Sequence, residues 1–259
     1  MKHCISISPS IRVVTCLLRI MQALAILSFV FLLSSCLKDG DEPGPAKVTV
    51  LAKGFNNPRG LKFGPDGFLY VAEAGLGGTE QTSKVCPGPP LPGEHLLGSP
   101  TGGRISKVSS SGVRTTVTDK LPTAGGGFFI LGVSDVAFYG NTLYALIAGG
   151  GCSHGVPEVP NGIVKINSSE SFTMVADLGG WQQTHPVAHP PEDFEPEGTW
   201  YSMVNVGNAF YALDPNHGEL VKVTTDGTIT RVVDFTVTYG HIVPTTINYR
   251  GNFYVGSLG

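Results

Sequence analysis

Thiols, imidazoles and isolated acids are the groups of this sequence that could do chemistry, and their spacing decides which kind. His185 and His189 stand four apart in Trp181-Gln182-Gln183-Thr184-His185-Pro186-Val187-Ala188-His189-Pro190-Pro191. On a helix that spacing would put two metal-binding rings on one face. The following prolines oppose a helix, so the segment reads as an exposed loop. With its acidic continuation, Glu192, Asp193, Glu195 and Glu197, it suits a recognition surface. His154 lies two residues from Cys152, but a disulfide at that cysteine would remove the nucleophile. No Gly-x-Ser-x-Gly elbow, His-Glu-x-x-His pair or phosphate loop is present. The runs Gly125-Gly126-Gly127 and Gly149-Gly150-Gly151 precede no helical pattern and read as turns.

The N-terminus carries an address rather than a reaction. Lys2, Arg12 and Arg19 precede the uncharged run Ala23 to Leu33. This is the layout of a signal peptide, with an apolar stretch too short to cross a bilayer. The run ends in Leu33-Ser34-Ser35-Cys36, which resembles a bacterial lipobox, so Cys36 is the expected lipidation site and the lipid the expected membrane attachment. The acidic, Gly/Pro-containing tether that follows resembles the export signal of surface lipoproteins in the Bacteroidetes. The expected organisation is a signal peptide at 1–35, a tether at 36–46 and one exported domain at 47–259, placed in the cell envelope at the outer membrane or cell surface. Cys4 and Cys16 leave with the signal, so Cys86 and Cys152 remain as an even pair in an oxidising compartment, where one disulfide is expected.

The elements that must position any site come from a repeated phrase. Leu69-Tyr70-Val71-Ala72, Leu143-Tyr144-Ala145-Leu146, Phe210-Tyr211-Ala212-Leu213 and Phe253-Tyr254-Val255-Gly256 are variants of one strand. Each follows a further strand, Gly60 to Phe63, Ser134 to Phe138, Met203 to Val206 and Thr245 to Tyr249, through a tight turn such as Pro65-Asp66-Gly67. The first three are followed by Gly103 to Val108, Gly162 to Ile166 and Gly218 to Val223, then by a polar turn and a fourth strand. Four short strands repeated every roughly 40 to 75 residues is the pattern of propeller blades. Charged residues are 14% of the chain against 35 glycines and 19 prolines, which suits strands and turns over helices. A formal charge of -3 without a basic cluster argues against nucleic acid as a partner. The expected fold is therefore an all-β propeller of four-stranded blades at about 58–120, 131–178 and 200–235, with a half blade from His241 onward. Val48 to Ala52 reads as an extra strand of the kind that closes a propeller ring. About three and a half blades do not close a ring, so the sequence reads as part of a longer propeller.

The segment Gly54-Phe55-Asn56-Asn57-Pro58-Arg59-Gly60-Leu61-Lys62-Phe63-Gly64-Pro65-Asp66-Gly67-Phe68-Leu69-Tyr70-Val71-Ala72-Glu73-Ala74-Gly75 resembles the opening repeat of the ScyD/ScyE family, within the NHL- and SMP-30-type propellers. The resemblance extends over residues 48–259 and implies six blades in full, with no assigned activity for most members. Asp214-Pro215-Asn216-His217-Gly218 and the stretch Glu192 to Tyr201 depart from the family pattern, which puts any family ligand site there in doubt. In such propellers sites lie at one mouth of the central channel. Arg59, Asp135 and Thr245, on the first strand of their blades, are expected to face it, with Glu73 and Asp214 contributing from the end of the second strand. SMP-30-like lactonases hold a divalent ion with Glu, Asn and Asp from separate blades, and Glu73, Asp135, Asn205 and Asp214 imitate that set; calcium is the ion it implies. The competing reading is that each of these residues caps the backbone of its own turn. Two functions follow. One is a surface binding or scaffold module for a glycan, peptide or partner protein, with Phe128-Phe129-Ile130 and Trp181 as contact or core-capping residues. The other is a metal-dependent hydrolase or lactonase at the channel mouth.

Overall fold

The computed structural model describes residues 46–81, 97–126, 129–192 and 195–258. The chain divides at Thr49/Val50, and the strands among the described residues all belong to the unit Val50–Gly259. The signal segment, Cys36, most of the tether, Cys86 and Phe128 lie outside the described residues.

This unit is a propeller of antiparallel blades. Blade one contains β1 (Pro58–Phe63), β2 (Leu69–Glu73), β3 (Glu80–Gln81), β4 (Leu97–Val108), β5 (Arg114–Gly126) and β6 (Phe129–Leu131). Blade two contains β7 (Val133–Tyr139), β8 (Thr142–Ile147), β9 (Gly162–Ile166) and β10 (Phe172–Asp177), followed by helix α1 (Leu178–Thr184). Blade three contains β11 (Ser202–Val206), β12 (Ala209–Asp214), β13 (Glu219–Thr224) and β14 (Ile229–Asp234), followed by α2 (Thr236–Tyr239). The last sheet is the pair β15 (Pro244–Tyr249) and β16 (Phe253–Ser257). The order of strands is that read from the repeat, while blade one carries two further strands, β3 and β6, and runs on to Leu131.

Hairpin chemistry explains why the strands turn where they do. At Asp66-Gly67, Gly67 adopts φ 78°, which only glycine reaches without strain. Asp66 accepts the Phe68 N–H at 3.3 Å and the Tyr70 hydroxyl at 2.9 Å, fixing the turn from its own side chain.

The core is split into three layers, each between two consecutive blades. Along β8, Leu143, Ala145 and Ile147 pack toward blade one with Ile105, Leu121 and Val136, while Tyr144 and Leu146 pack toward blade three with Trp200, Met203 and Phe210. A third layer joins Leu213, Leu220, Phe235 and Ile247. The period of two therefore sends alternate side chains into two different cores. β8 is buried along nearly its whole length because both of its faces are covered. Removing a side chain such as Phe210 or Leu146 from water stabilises the fold by about 1.5–3 kcal/mol.

Three features depart from expectation. Residues 46–57 form no strand with any described element, whereas Val48 to Ala52 reads as a strand in the sequence. β4 and β5 run well past the predicted ends, and their extension carries Gly98 against the backbone of His154 in blade two, where a Cβ would meet the His154 carbonyl oxygen at 2.1 Å. Finally, α1 forms between blades two and three, with Asp177 accepting the Gly180 N–H at 2.7 Å as its N-cap.

Candidate functional site at the channel mouth

The first strands of the blades, β1, β7, β11 and β15, lie side by side in that order. Three of them begin with a bulge. One extra residue interrupts the pairing between Pro58 and Leu61 in β1, between Val133 and Asp135 in β7, and between Pro244 and Thr246 in β15. A bulge bends its strand and re-aims a side chain. The bulges place Arg59, Ser134 and Thr245 at the same end of the channel, where Pro58, Arg59, Gly60, Ser134, Asp135, Tyr201, Ser202, Thr245 and Thr246 line a cavity of about 310 Å³. Arg59, Asp135 and Thr245, three of the expected mouth residues, are thus brought together. Tyr201 and Ser202 carry no signal in the repeated phrase and were missed.

The polar groups of this mouth are fixed by one another. Arg59 donates through Nη1 to the Tyr201 hydroxyl at 2.5 Å and through Nη2 to the Ile130 carbonyl at 2.7 Å, with its guanidinium 5.2 Å from the Tyr201 ring centre. Asp135 accepts the Met203 N–H at 2.8 Å, the Ser202 hydroxyl at 3.2 Å and the Val136 N–H at 2.9 Å. Ser202 Oγ in turn accepts the Ile247 N–H at 3.4 Å, extending the chain of contacts to β15. Burial pushes the Asp135 carboxyl above its ordinary range, although the Met203 N–H and the charge of Lys62 pull the other way.

The remaining expected residues do not reach the mouth. Glu73 is fully buried beneath it, where it accepts Arg104 Nη2 at 2.5 Å and Nε at 2.9 Å, the Ser106 hydroxyl at 2.5 Å and the Asn56 N–H at 2.6 Å. Its oxygens are occupied by donors, which makes it a structural ion pair. Asn205 lies at the opposite end of β11 and donates to the Ala209 carbonyl at 3.0 Å, capping the β11–β12 hairpin. The set Glu73, Asp135, Asn205 and Asp214 is therefore not assembled, and these four residues do not fit a calcium ion, which needs six to eight converging oxygens. Among the described residues, His, Cys, Asp and Glu converge in groups of three or more only at Asp214, His217 and Glu219.

That group belongs to a buried polar network between blades two and three. Gln182 of α1 donates to both Asp214 Oδ2 and Glu219 Oε1, the latter at 2.7 Å, while Arg231 Nε pairs with Glu219 Oε2 at 2.6 Å and His217 Nδ1 lies 3.2 Å from Asp214 Oδ2. Burial raises the Glu219 carboxyl, against the pull of Arg231 and Gln182. Higher in the same seam, His154 Nε2 meets Glu195 Oε2 at 3.1 Å and its Nδ1 meets the Gly150 carbonyl at 2.6 Å. Glu197 accepts the N–H groups of Cys152 and Ser153 at 2.8 and 2.7 Å and the Ser153 hydroxyl. Glu195 and Glu197 are thus turned inward and not presented to a partner, whereas Glu192 is exposed and Asp193 lies outside the described residues. Cys152 is disulfide-bonded, and its expected partner Cys86 lies outside the described residues.

His185 and His189 do not form a pair. His185 caps the end of α1 and stacks on Trp181 at 4.6 Å, while the His189 N–H donates to Thr236 Oγ1 at 3.2 Å. Trp181 also receives the Arg231 guanidinium at 5.1 Å and packs on the core, so it takes the core-capping role. Among the described residues, no helix is long and apolar enough to cross a membrane.

No family model matches the chain, and no curated protein matches it. Solved structures do. The chain is similar to virginiamycin B lyase from Staphylococcus aureus with quinupristin at 13% identity and a TM-score of 0.42, over 76% of this chain and 48% of that one. A streptogramin B lyase matches at 12% identity and a TM-score of 0.44, over 76% and 47%. The PQQ-bound aldose sugar dehydrogenase from Streptomyces coelicolor matches at 13% identity and a TM-score of 0.29, over 82% and 92%. The chain spans about half the length of the two lyases it matches. These neighbours are six-bladed-propeller-like proteins, and the likeness concerns the fold and not their activities.

Proposed function

We propose that this chain is part of an envelope lipoprotein of the ScyD/ScyE type, anchored through Cys36 at the outer membrane or cell surface, whose propeller binds a saccharide at the channel mouth. One observation supports this reading most: residues from four successive blades converge on a cavity of about 310 Å³ whose lining is rich in hydroxyls and holds one guanidinium and one carboxyl. That volume lies at the small end of the roughly 300–1,000 Å³ found for ligand pockets. Tyr201, Thr245 and Thr246 offer hydroxyls that can donate and accept, as sugar hydroxyls require, and the Arg59 guanidinium suits the carboxylate of an acidic sugar. Titration calorimetry of neutral and acidic monosaccharides and short glycans tests it. Saturable binding that is lost in Arg59→Met supports the proposal. Absence of binding across the panel, or binding equal in Arg59→Met, rejects the mouth as a saccharide site and turns the search to peptide or protein partners.

A second reading, hydrolysis at the same mouth, is favoured by the Asp135 carboxyl, which lines the cavity and which burial raises above its ordinary value. It predicts turnover of a bound ester or lactone that Asp135→Asn abolishes while binding persists.

A further inference from the structure

We propose that the channel mouth is an anion site whose ligand must bring a carboxylate to Arg59 and Tyr201, so that the saccharide bound there is a uronic acid and neutral sugars are refused. The sugar part of this rests on the saccharide reading; the carboxylate part does not. Arg104 and Arg231 each meet a buried carboxylate, Glu73 at 2.5 Å and Glu219 at 2.6 Å. Arg59 is half-buried and lines the cavity, yet among the described residues it belongs to no ion pair. Its acceptors are uncharged, the Tyr201 hydroxyl at 2.5 Å and the Ile130 carbonyl at 2.7 Å. A cation partly withdrawn from water without a counter-charge is costly, and an incoming anion offsets that cost.

Asp135, the one acid in the lining, does not supply that counter-charge. Its oxygens accept the Met203 and Val136 N–H groups and the Ser202 hydroxyl, and burial raises its carboxyl, which weakens the repulsion an anion would meet. Donors meanwhile gather around Arg59. Two of its N–H groups are engaged, and those that remain belong to a planar fork that matches the two oxygens of a carboxylate. The Tyr201 oxygen accepts from this fork, and its own hydrogen has no acceptor among the described residues. Contacts to the Ile130 carbonyl and to the Tyr201 ring, whose centre is 5.2 Å from the guanidinium, hold the fork in place before the ligand arrives. The hydroxymethyl group of a neutral sugar would leave the guanidinium uncompensated there. The hydroxyls of Thr245 and Thr246, which make no hydrogen bond among the described residues, serve the ring hydroxyls.

The test titrates the full chain by calorimetry with glucuronate, galacturonate and mannuronate. Each is set against its uncharged amide and the neutral sugar of the same configuration, with acetate as a carboxylate that has no ring. At least one uronate should bind roughly tenfold or more tightly than its amide and its neutral sugar, the least expected from losing a hydrogen bond to a charged group. Added salt should weaken that binding. Arg59→Lys keeps the charge but not the fork and should lose most of the preference. The comparison of uronate with amide uses the unaltered protein, so it decides even if Arg59→Lys fails to fold. Uronates bound no more tightly than their amides or neutral sugars, or a preference unchanged in a folded Arg59→Lys, overturn the carboxylate requirement and leave the saccharide reading standing. Acetate bound as tightly as every uronate supports the carboxylate and rejects the sugar. No binding of any uronate or of acetate overturns both.

Discussion

The carboxylate of Asp135 in blade two accepts the backbone N–H of Met203 in blade three at 2.8 Å, and its other oxygen lies where a side chain on Gly60 of blade one would have to stand. One buried acid therefore holds three inner strands at a fixed spacing. A Cβ at position 60 would sit 2.0 Å from Asp135 Oδ1 and 2.8 Å from its Cα, both impossible contacts, so β1 approaches β7 only because residue 60 is glycine.

Asp135→Ala should destabilise the domain by about 1–3 kcal/mol, because the Met203 N–H loses its acceptor inside the protein. Gly60→Ala should cost at least as much. The double variant should recover only part of the Gly60→Ala loss, since the Asp135 Cα remains in the way. Urea unfolding of the four proteins measures the coupling, and strict additivity would contradict the packing described.

Much of this fold can be read in the sequence. The aromatic phrase at Tyr70, Tyr144, Tyr211 and Tyr254 marks the second strand of each sheet, and in β2, β8 and β12 that strand is buried along most of its length and tolerates few polar residues. Arg59, Asp135 and Thr245 could be placed at the mouth because they begin the first strands. What the repeat cannot show is the contact between distant segments. Tyr201 meets Arg59 across 142 positions. Glu73 looks like a free acid until Arg104 is placed opposite it on β4. Glu195 and Glu197 sit in a polar stretch that resembles a surface loop, and only the turn at Cys152 to His154 draws them inward. The bulges that aim Arg59 and Thr245 shift the register by one residue and leave no mark in a pattern of period two.

Glu73 gives a second prediction. Its carboxylate is fully buried, and Arg104 is its salt-bridge partner, with a side chain only 15% exposed. Removing one member of a buried pair leaves the other charge without compensation and costs about 3–5 kcal/mol. Arg104→Met should therefore be more damaging than the loss of a surface arginine. Glu73→Gln should also destabilise, while leaving any effect of added calcium on the melting temperature unchanged. A calcium response that vanishes specifically in Glu73→Gln would restore the ligand role that the structure withholds from this residue.

The proposed anchor yields a third. Cells expressing the full chain and fed a labelled fatty acid should incorporate label into the wild type and not into Cys36→Ser, which should also leave the membrane fraction. Labelled Cys36→Ser, or an unlabelled wild type retained in the membrane, would count against lipidation at that thiol.

The His154–Glu195 pair makes stability depend on pH in a defined direction. Burial alone would lower the imidazole, but the hydrogen bond and charge of Glu195 outweigh it, so His154 titrates above its ordinary value of 6.5. Burial would likewise raise Glu195, yet His154 outweighs that and holds the carboxyl below its ordinary 4.5. A raised imidazole contributes stability that is complete below pH 6.5 and is lost as pH rises through its folded value. A lowered carboxyl contributes stability that is complete above pH 4.5 and is lost as pH falls through its folded value. Both contributions are present together between pH 4.5 and 6.5, and stability from this pair should fall on either side of that window. His154→Gln should remove the alkaline loss, and Glu195→Gln should remove the acid loss and return an unmutated His154 toward the low value that burial dictates. Urea unfolding from pH 4 to 8, about the range in which histidine and acidic side chains change charge, gives the comparison. If the wild type and His154→Gln lose stability in parallel above pH 6.5, the imidazole is not charged in the folded protein and the contact is a neutral hydrogen bond.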